Sequence, residues 1–127
     1  GPERALLITD AMAGTGMPDG TWWLGELEVR VKNGRAIIGD DTLAGSTLTL
    51  DQAVRNFMAF TGASLEQATA LATRNPARMA GFEDEVGILA AGRSADMTVL
   101  SAENEVLETF LRGIPSSAAV TQNSFNG

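Results

Sequence analysis

The chain contains neither histidine nor cysteine, so chemistry near neutral pH falls to its carboxylates. Histidine is the commonest metal ligand and the usual general base at that pH. Without cysteine, disulfides and thiolate metal sites are excluded. Such a chain cannot build a typical zinc or binuclear metal site alone. Carboxylates can hold magnesium or calcium, but no Asp/Glu group here has the spacing of a calcium loop.

The carboxylate best placed for chemistry is Asp10. It follows the apolar run Ala5-Leu6-Leu7-Ile8-Thr9, which reads as a strand buried on both faces. After it comes a glycine-rich stretch, Ala11 to Gly20, ending in the turn signal Pro18-Asp19-Gly20. A carboxylate where a buried strand empties into a loop has two readings. Either it moves protons at the mouth of a sheet, or it caps a helix or orders the loop.

Other candidates carry less. Trp22 and Trp23 could stack on a sugar ring, but neighbours in a strand face opposite ways, so at most one meets a ligand. Core or interface packing is expected for both. Ser46 lacks a histidine or lysine close in sequence to activate it, which makes it structural. Asp96 precedes a strand and reads as a turn or capping group, and Glu83-Asp84-Glu85 reads as a solvated loop.

Several elements must position these residues. From Trp22 to Ile38, Leu27, Val29 and Val31 alternate with Glu28, Arg30 and Lys32, the period of a half-buried strand. Asn33-Gly34 supplies a type I′ turn, so this stretch is a β-hairpin. Thr49 with Gln52 and Ser64 with Gln67 predict two capping boxes. The first helix has Leu50, Val54, Phe57 and Met58 on its inner face and ends at Gly62; the second has Leu65, Ala68, Leu71 and Ala72. Asn75-Pro76 opens a short third helix, Asn as N-cap, closed by Gly81. Met97 to Leu100 and Val106 to Leu111 read as strands joined by a turn around Asn104. The tail from Ile114 to Gly127 is small, polar and aperiodic, and is expected to be poorly ordered.

A lone buried strand with no parallel neighbour is awkward for a self-contained domain. The missing neighbours are expected upstream, and the opening Gly1-Pro2 reads as the interior of a longer protein or a cleavage scar. Unpaired strand edges and a bare apolar face predict poor solubility or self-association, as a homodimer or homo-oligomer. The net charge of −7 with nine scattered basic residues argues against a nucleic-acid partner. No apolar run approaches a membrane span and no signal peptide opens the chain, so no membrane partner and a cytoplasmic location are expected.

Three segments together resemble the N-acetylglucosamine-6-phosphate deacetylase family of the amidohydrolase superfamily. They are Leu7-Ile8-Thr9-Asp10-Ala11-Met12-Ala13-Gly14-Thr15-Gly16, Leu43-Ala44-Gly45-Ser46-Thr47-Leu48-Thr49, and Gly87-Ile88-Leu89-Ala90-Ala91-Gly92-Arg93-Ser94-Ala95-Asp96-Met97-Thr98-Val99-Leu100. Asn75-Pro76-Ala77 also fits. The third segment is widespread among metal-dependent amidohydrolases; the first two, with a hairpin between them, point to the deacetylase.

The resemblance implies an α/β fold: the C-terminal part of a (β/α)8 barrel with a β-hairpin insertion, plus strands of a small β-sandwich. Residues 1–85 would be barrel, with the hairpin about 22–38 and helices about 50–81; 86–113 would be sandwich strands. Active sites of such barrels lie at the C-terminal ends of the strands. By resemblance Asp10 is the general base and acid, and Leu43, Ala44 and Gly45 bind the substrate through their backbone. The substrate would be a small amino-sugar phosphate, N-acetylglucosamine 6-phosphate, deacetylated with a divalent metal, zinc or iron. The family's metal ligands, a glutamate and two histidines on earlier strands, are not in this chain, nor is its phosphate-binding arginine. Arg74, Arg78 and Arg93 carry no motif for that role. The isolated chain is therefore expected to be inactive. The alternatives are a non-catalytic truncated assembly partner and a piece of a dihydroorotase-like or aminoacylase-like amidohydrolase. The Leu43-to-Ser46 segment speaks against the last.

Overall fold

Alternating burial builds the first sheet. Val29 and Val31 are buried while Glu28, Arg30 and Lys32 between and beside them face solvent. In the computed structural model, which describes residues 2–40 and 42–117, these residues form β2 (Leu27–Lys32). It pairs antiparallel with β3 (Arg35–Ile38) across Asn33-Gly34. Both turn residues have positive φ, 52° and 72°, as a type I′ turn requires. The expected hairpin is present, but it is the centre of a four-stranded meander with β1 (Gly20–Leu24) and β4 (Thr42–Ser46) on its flanks. Gly25, at φ 61°, opens the two-residue β1–β2 turn, where a type II′ turn takes glycine.

Three helices follow. The first, α1 (Leu50–Thr61), ends at Gly62 in the left-handed conformation. It buries Ala53 and Val54 and half-buries Phe57 and Met58, while Leu50 is exposed. The expected Thr49–Gln52 capping box does not form: Thr49 makes no side-chain cap bond. Competing polar partners take these groups, Thr49 bonding Asp51 and the Gln52 amide donating to Asn56 Oδ1 at 2.8 Å. At α2 (Leu65–Ala72) the Ser64–Gln67 box is complete, with both reciprocal bonds present.

The third helix, α3 (Arg74–Ala80), ends at Gly81 as expected, but its N-cap is Thr73, not Asn75. Asn75 lies inside the first turn, buried, and its amide donates to the carbonyls of Pro2 and Ala5 at 3.0 and 2.8 Å. Carbonyls brought in by the N-terminal segment offer it a better use than capping its own helix.

That segment departs most from expectation. Ala5 to Thr9 lies in no sheet, and Ile8 is 76% exposed. A buried strand needs ladder partners on both sides, and among the described residues none flanks it. Besides the bond from Asn75 to Ala5, it is tied to the helices by the Leu7 amide donating to the Leu71 carbonyl at 3.0 Å.

The second sheet contains β5 (Met97–Leu100) and β6 (Val106–Leu111) as expected, joined around Asn104 at φ 63°. A third strand, β7 (Ile114–Pro115), pairs with β6, so the tail is structured at least there. The turn Arg112-Gly113 has both φ positive, 52° and 80°, a second I′-like reversal. The remainder of the expected disordered tail, 118–127, lies outside the described residues.

Candidate active site around Asp10

Two stretches of chain 35 residues apart meet at Asp10. The Ser46 amide donates to the Asp10 carbonyl at 2.7 Å, and the Met12 amide donates to the Ser46 carbonyl at 2.9 Å. The Thr15 hydroxyl donates to the same Ser46 carbonyl at 3.1 Å. Together these form a parallel bridge between Ala11 and Ser46, so the loop after Asp10 extends the edge of β4.

Packing reinforces the bridge. The Met12 side chain is buried with Val29, Val31 and Ala36, and Trp22, Ile38 and Ala44 close around it. Gly14 fits only as glycine, since a Cβ there would lie 2.6 Å from Val31 Cγ2. Asp10 itself sits at φ 51°, a conformation uncommon for residues other than glycine. Its side chain is exposed and accepts no hydrogen bond among the described residues. The capping and loop-ordering reading of Asp10 thus finds no bond to support it. The loop is ordered by main chain, by Thr15 and by the Thr9 hydroxyl, which accepts from the Ala11 amide at 3.2 Å.

Leu43, Ala44 and Gly45 lie beside this loop, in strand β4 and not in a turn. The register slips here: Ala36 faces Gly45 and Ile37 faces Leu43, leaving Ala44 as the extra residue of a bulge. Bulges re-aim side chains and are frequent beside active sites. Ala44 packs on the Met12 cluster, Gly45 turns towards Asp10, and Leu43 is 61% exposed.

The other sequence candidates are held in local contacts or face solvent. Trp22 is half-buried on the core and donates from Nε1 to the Pro18 carbonyl at 3.2 Å, whereas Trp23 on the opposite face is exposed. Ser46 Oγ accepts from the Leu48 amide at 2.8 Å. Asp96 accepts from the Arg112 amide at 2.7 Å and from the Ser94 hydroxyl at 2.8 Å. The Arg112 amide, then Ser94, hold its carboxyl below the usual range. Glu83, Asp84 and Glu85 are exposed. Arg78 donates to the Glu3 carbonyl and Arg93 to that of Val86.

Sequence reasoning missed Arg55, which donates to Asp51 at 2.8 Å and to the Asn104 carbonyl at 2.8 Å, tying α1 to the second sheet. A cleft of about 230 Å³ opens beside it, lined by Val54, Ala72, Leu100 and Val106 among others; Asp10 does not line it. Among the described residues no group of three or more Asp or Glu side chains is placed to hold a metal.

Residues 26–124 match the amidohydrolase family. An N-acetylglucosamine-6-phosphate deacetylase of Vibrio furnissii is 40% identical over 111 residues, covering 87% of this chain and 28% of that protein. An N-acetylgalactosamine-6-phosphate deacetylase of Escherichia coli O157:H7 is also 40% identical, over 87% of this chain and 29% of its own length. In the structure of a mutant N-acetyl-D-glucosamine-6-phosphate deacetylase from Mycobacterium smegmatis, bound to N-acetyl-D-glucosamine 6-phosphate, the match has a TM-score of 0.81 at 43% identity. It covers 91% of this chain and 31% of that one. The chain therefore spans about a third or less of the length of these relatives.

Proposed function

Because the chain belongs to the amidohydrolase family, we propose that it is part of a deacetylase converting N-acetylglucosamine 6-phosphate to glucosamine 6-phosphate and acetate. In this reading residues 1–85 complete a (β/α)8 barrel and 86–113 supply strands of a small β-sandwich. Asp10 stands at the barrel mouth, and Leu43, Ala44 and Gly45 flank the sugar.

The observation carrying this reading is the free carboxylate of Asp10 on a loop fixed at the main chain. An amide resists hydrolysis because water is a weak nucleophile and the amine a poor leaving group. A positioned carboxylate answers both. Asp10 takes a proton from water as its oxygen bonds to the acetyl carbon, then returns a proton to the nitrogen as the C–N bond breaks. The acetyl group leaves as acetate and the sugar as the free amine.

The divalent metal implied by the resemblance, zinc or iron, does not fit the residues described, which offer it no ligand set. Its ligands and the phosphate-binding group are assigned to parts of the enzyme outside these 127 residues. The exposed apolar residues Ile8, Phe60 and Leu89 are faces for those parts and for a second copy in a homo-oligomer. Among the described residues no helix is long and apolar enough to cross a membrane, and a small phosphorylated sugar suits a cytoplasmic enzyme.

The Escherichia coli relative favours one second reading, in which the substrate is the galactose epimer. Acetate release by the intact enzyme from the two epimers separates them. The glucosamine derivative is expected to be turned over with the higher kcat/KM, and the 127-residue chain alone to release none. Hydrolysis of dihydroorotate or N-acetyl amino acids in place of both sugars would overturn the proposal.

A further inference from the structure

Gly45 stands apart from Leu43 and Ala44. Its φ is 135°, and a Cβ built on it would lie 3.1 Å from the Asp10 carbonyl oxygen and 3.3 Å from Met12 Cβ. Any side chain would thus press on the backbone of Asp10 itself. The next residue, Ser46, grips that backbone on both sides, through the 2.7 Å bond to the Asp10 carbonyl and the 2.9 Å bond from the Met12 amide. The bulge at Ala44 turns Gly45 inwards, so a strand edge meets the loop at close range.

We propose that Gly45 is a positioning residue for Asp10, its missing side chain letting β4 set the place of the carboxylate, while Leu43 is left to meet the sugar. This rests on the reading of Asp10 as general base. The two roles predict different kinetics. A residue that binds substrate equally in ground and transition states moves KM. A residue that places the base moves kcat, because a misplacement of about 1 Å can cost on the order of 100-fold in rate.

The test is steady-state kinetics of the intact enzyme with N-acetylglucosamine 6-phosphate. Gly45→Ala is expected to lower kcat by about 10-fold or more with KM within about twofold. Gly39→Ala is the control for a positive-φ glycine without a close contact: Gly39 has φ 62°, and a Cβ there meets nothing within 4 Å. It should leave both constants at the parent values. If Gly45→Ala does not fold, Thr15→Val makes the same test by removing the hydroxyl that clamps the Ser46 carbonyl, with kcat expected to fall about threefold at constant KM. A rise in KM at unchanged kcat, or parent kinetics, in the Gly45 variant (or in Thr15→Val where that replaces it) would overturn the proposal. A separate failure is full turnover by Asp10→Asn, which would remove the underlying reading of the base.

Discussion

The side-chain amide of Asn75 donates to the carbonyl of Ala5 at 2.8 Å, and with its second proton to that of Pro2 at 3.0 Å. Across 70 residues of sequence, one buried amide does what sheet hydrogen bonds would do elsewhere. It holds the segment that leads to Asp10 against α3. Asn75→Ala should leave the Ala5 carbonyl unpaired, that of Pro2 still accepting from the Ala5 amide at 3.0 Å, in a site only 4% exposed at its centre, costing about 1–3 kcal/mol. Urea unfolding of the intact enzyme measures this. Amide exchange at Leu7, the next tie in the segment, should quicken in the same variant.

Two helix starts of similar sequence should respond differently to alanine. Ser64 donates to and accepts from a complete capping box, and Ser64→Ala is expected to cost about 1 kcal/mol. Thr49 makes no cap bond of its own, so Thr49→Ala should cost less than Ser64→Ala. Thermal melts of the two variants compare them, and equal losses would mean that the box contributes nothing.

Acid should loosen the second sheet through Glu108. The hydroxyl of Ser116, then that of Ser117 and the Thr109 amide, hold its carboxyl down to about 2 from an ordinary 4.5. A folded pKa below the unfolded one gives stability that is complete above pH 4.5 and lost as pH falls towards 2. Glu108→Gln, which cannot titrate, should show a flatter fall of Tm across that window than the parent.

Much of the fold was legible because its signals are local. Period-two alternation and Asn33-Gly34 specify β2 and β3, and Met97–Leu100 and Val106–Leu111 fall where their apolar residues put them. Signals that depend on distant partners were harder to read. Ala5 to Thr9 has the composition of a buried strand, and with no sheet neighbour among the described residues it is held by Asn75 and Leu71. Asn75-Pro76 looks like a helix cap until the carbonyls of Pro2 and Ala5 arrive. At the site, Asp10 was legible as a carboxylate leading into a glycine-rich loop. Its contact with Gly45 and Ser46 was not, because the bulge at Ala44 that creates it leaves no mark in the sequence.

Proton transfer by Asp10 is the claim on which the account turns, and a pH-resolved kcat for Asp10→Asn in the intact, metal-loaded enzyme tests it most directly. Asparagine keeps the shape and cannot take the proton, so kcat should fall by about 10²–10⁴-fold with KM little changed. Turnover at the parent rate would contradict the account.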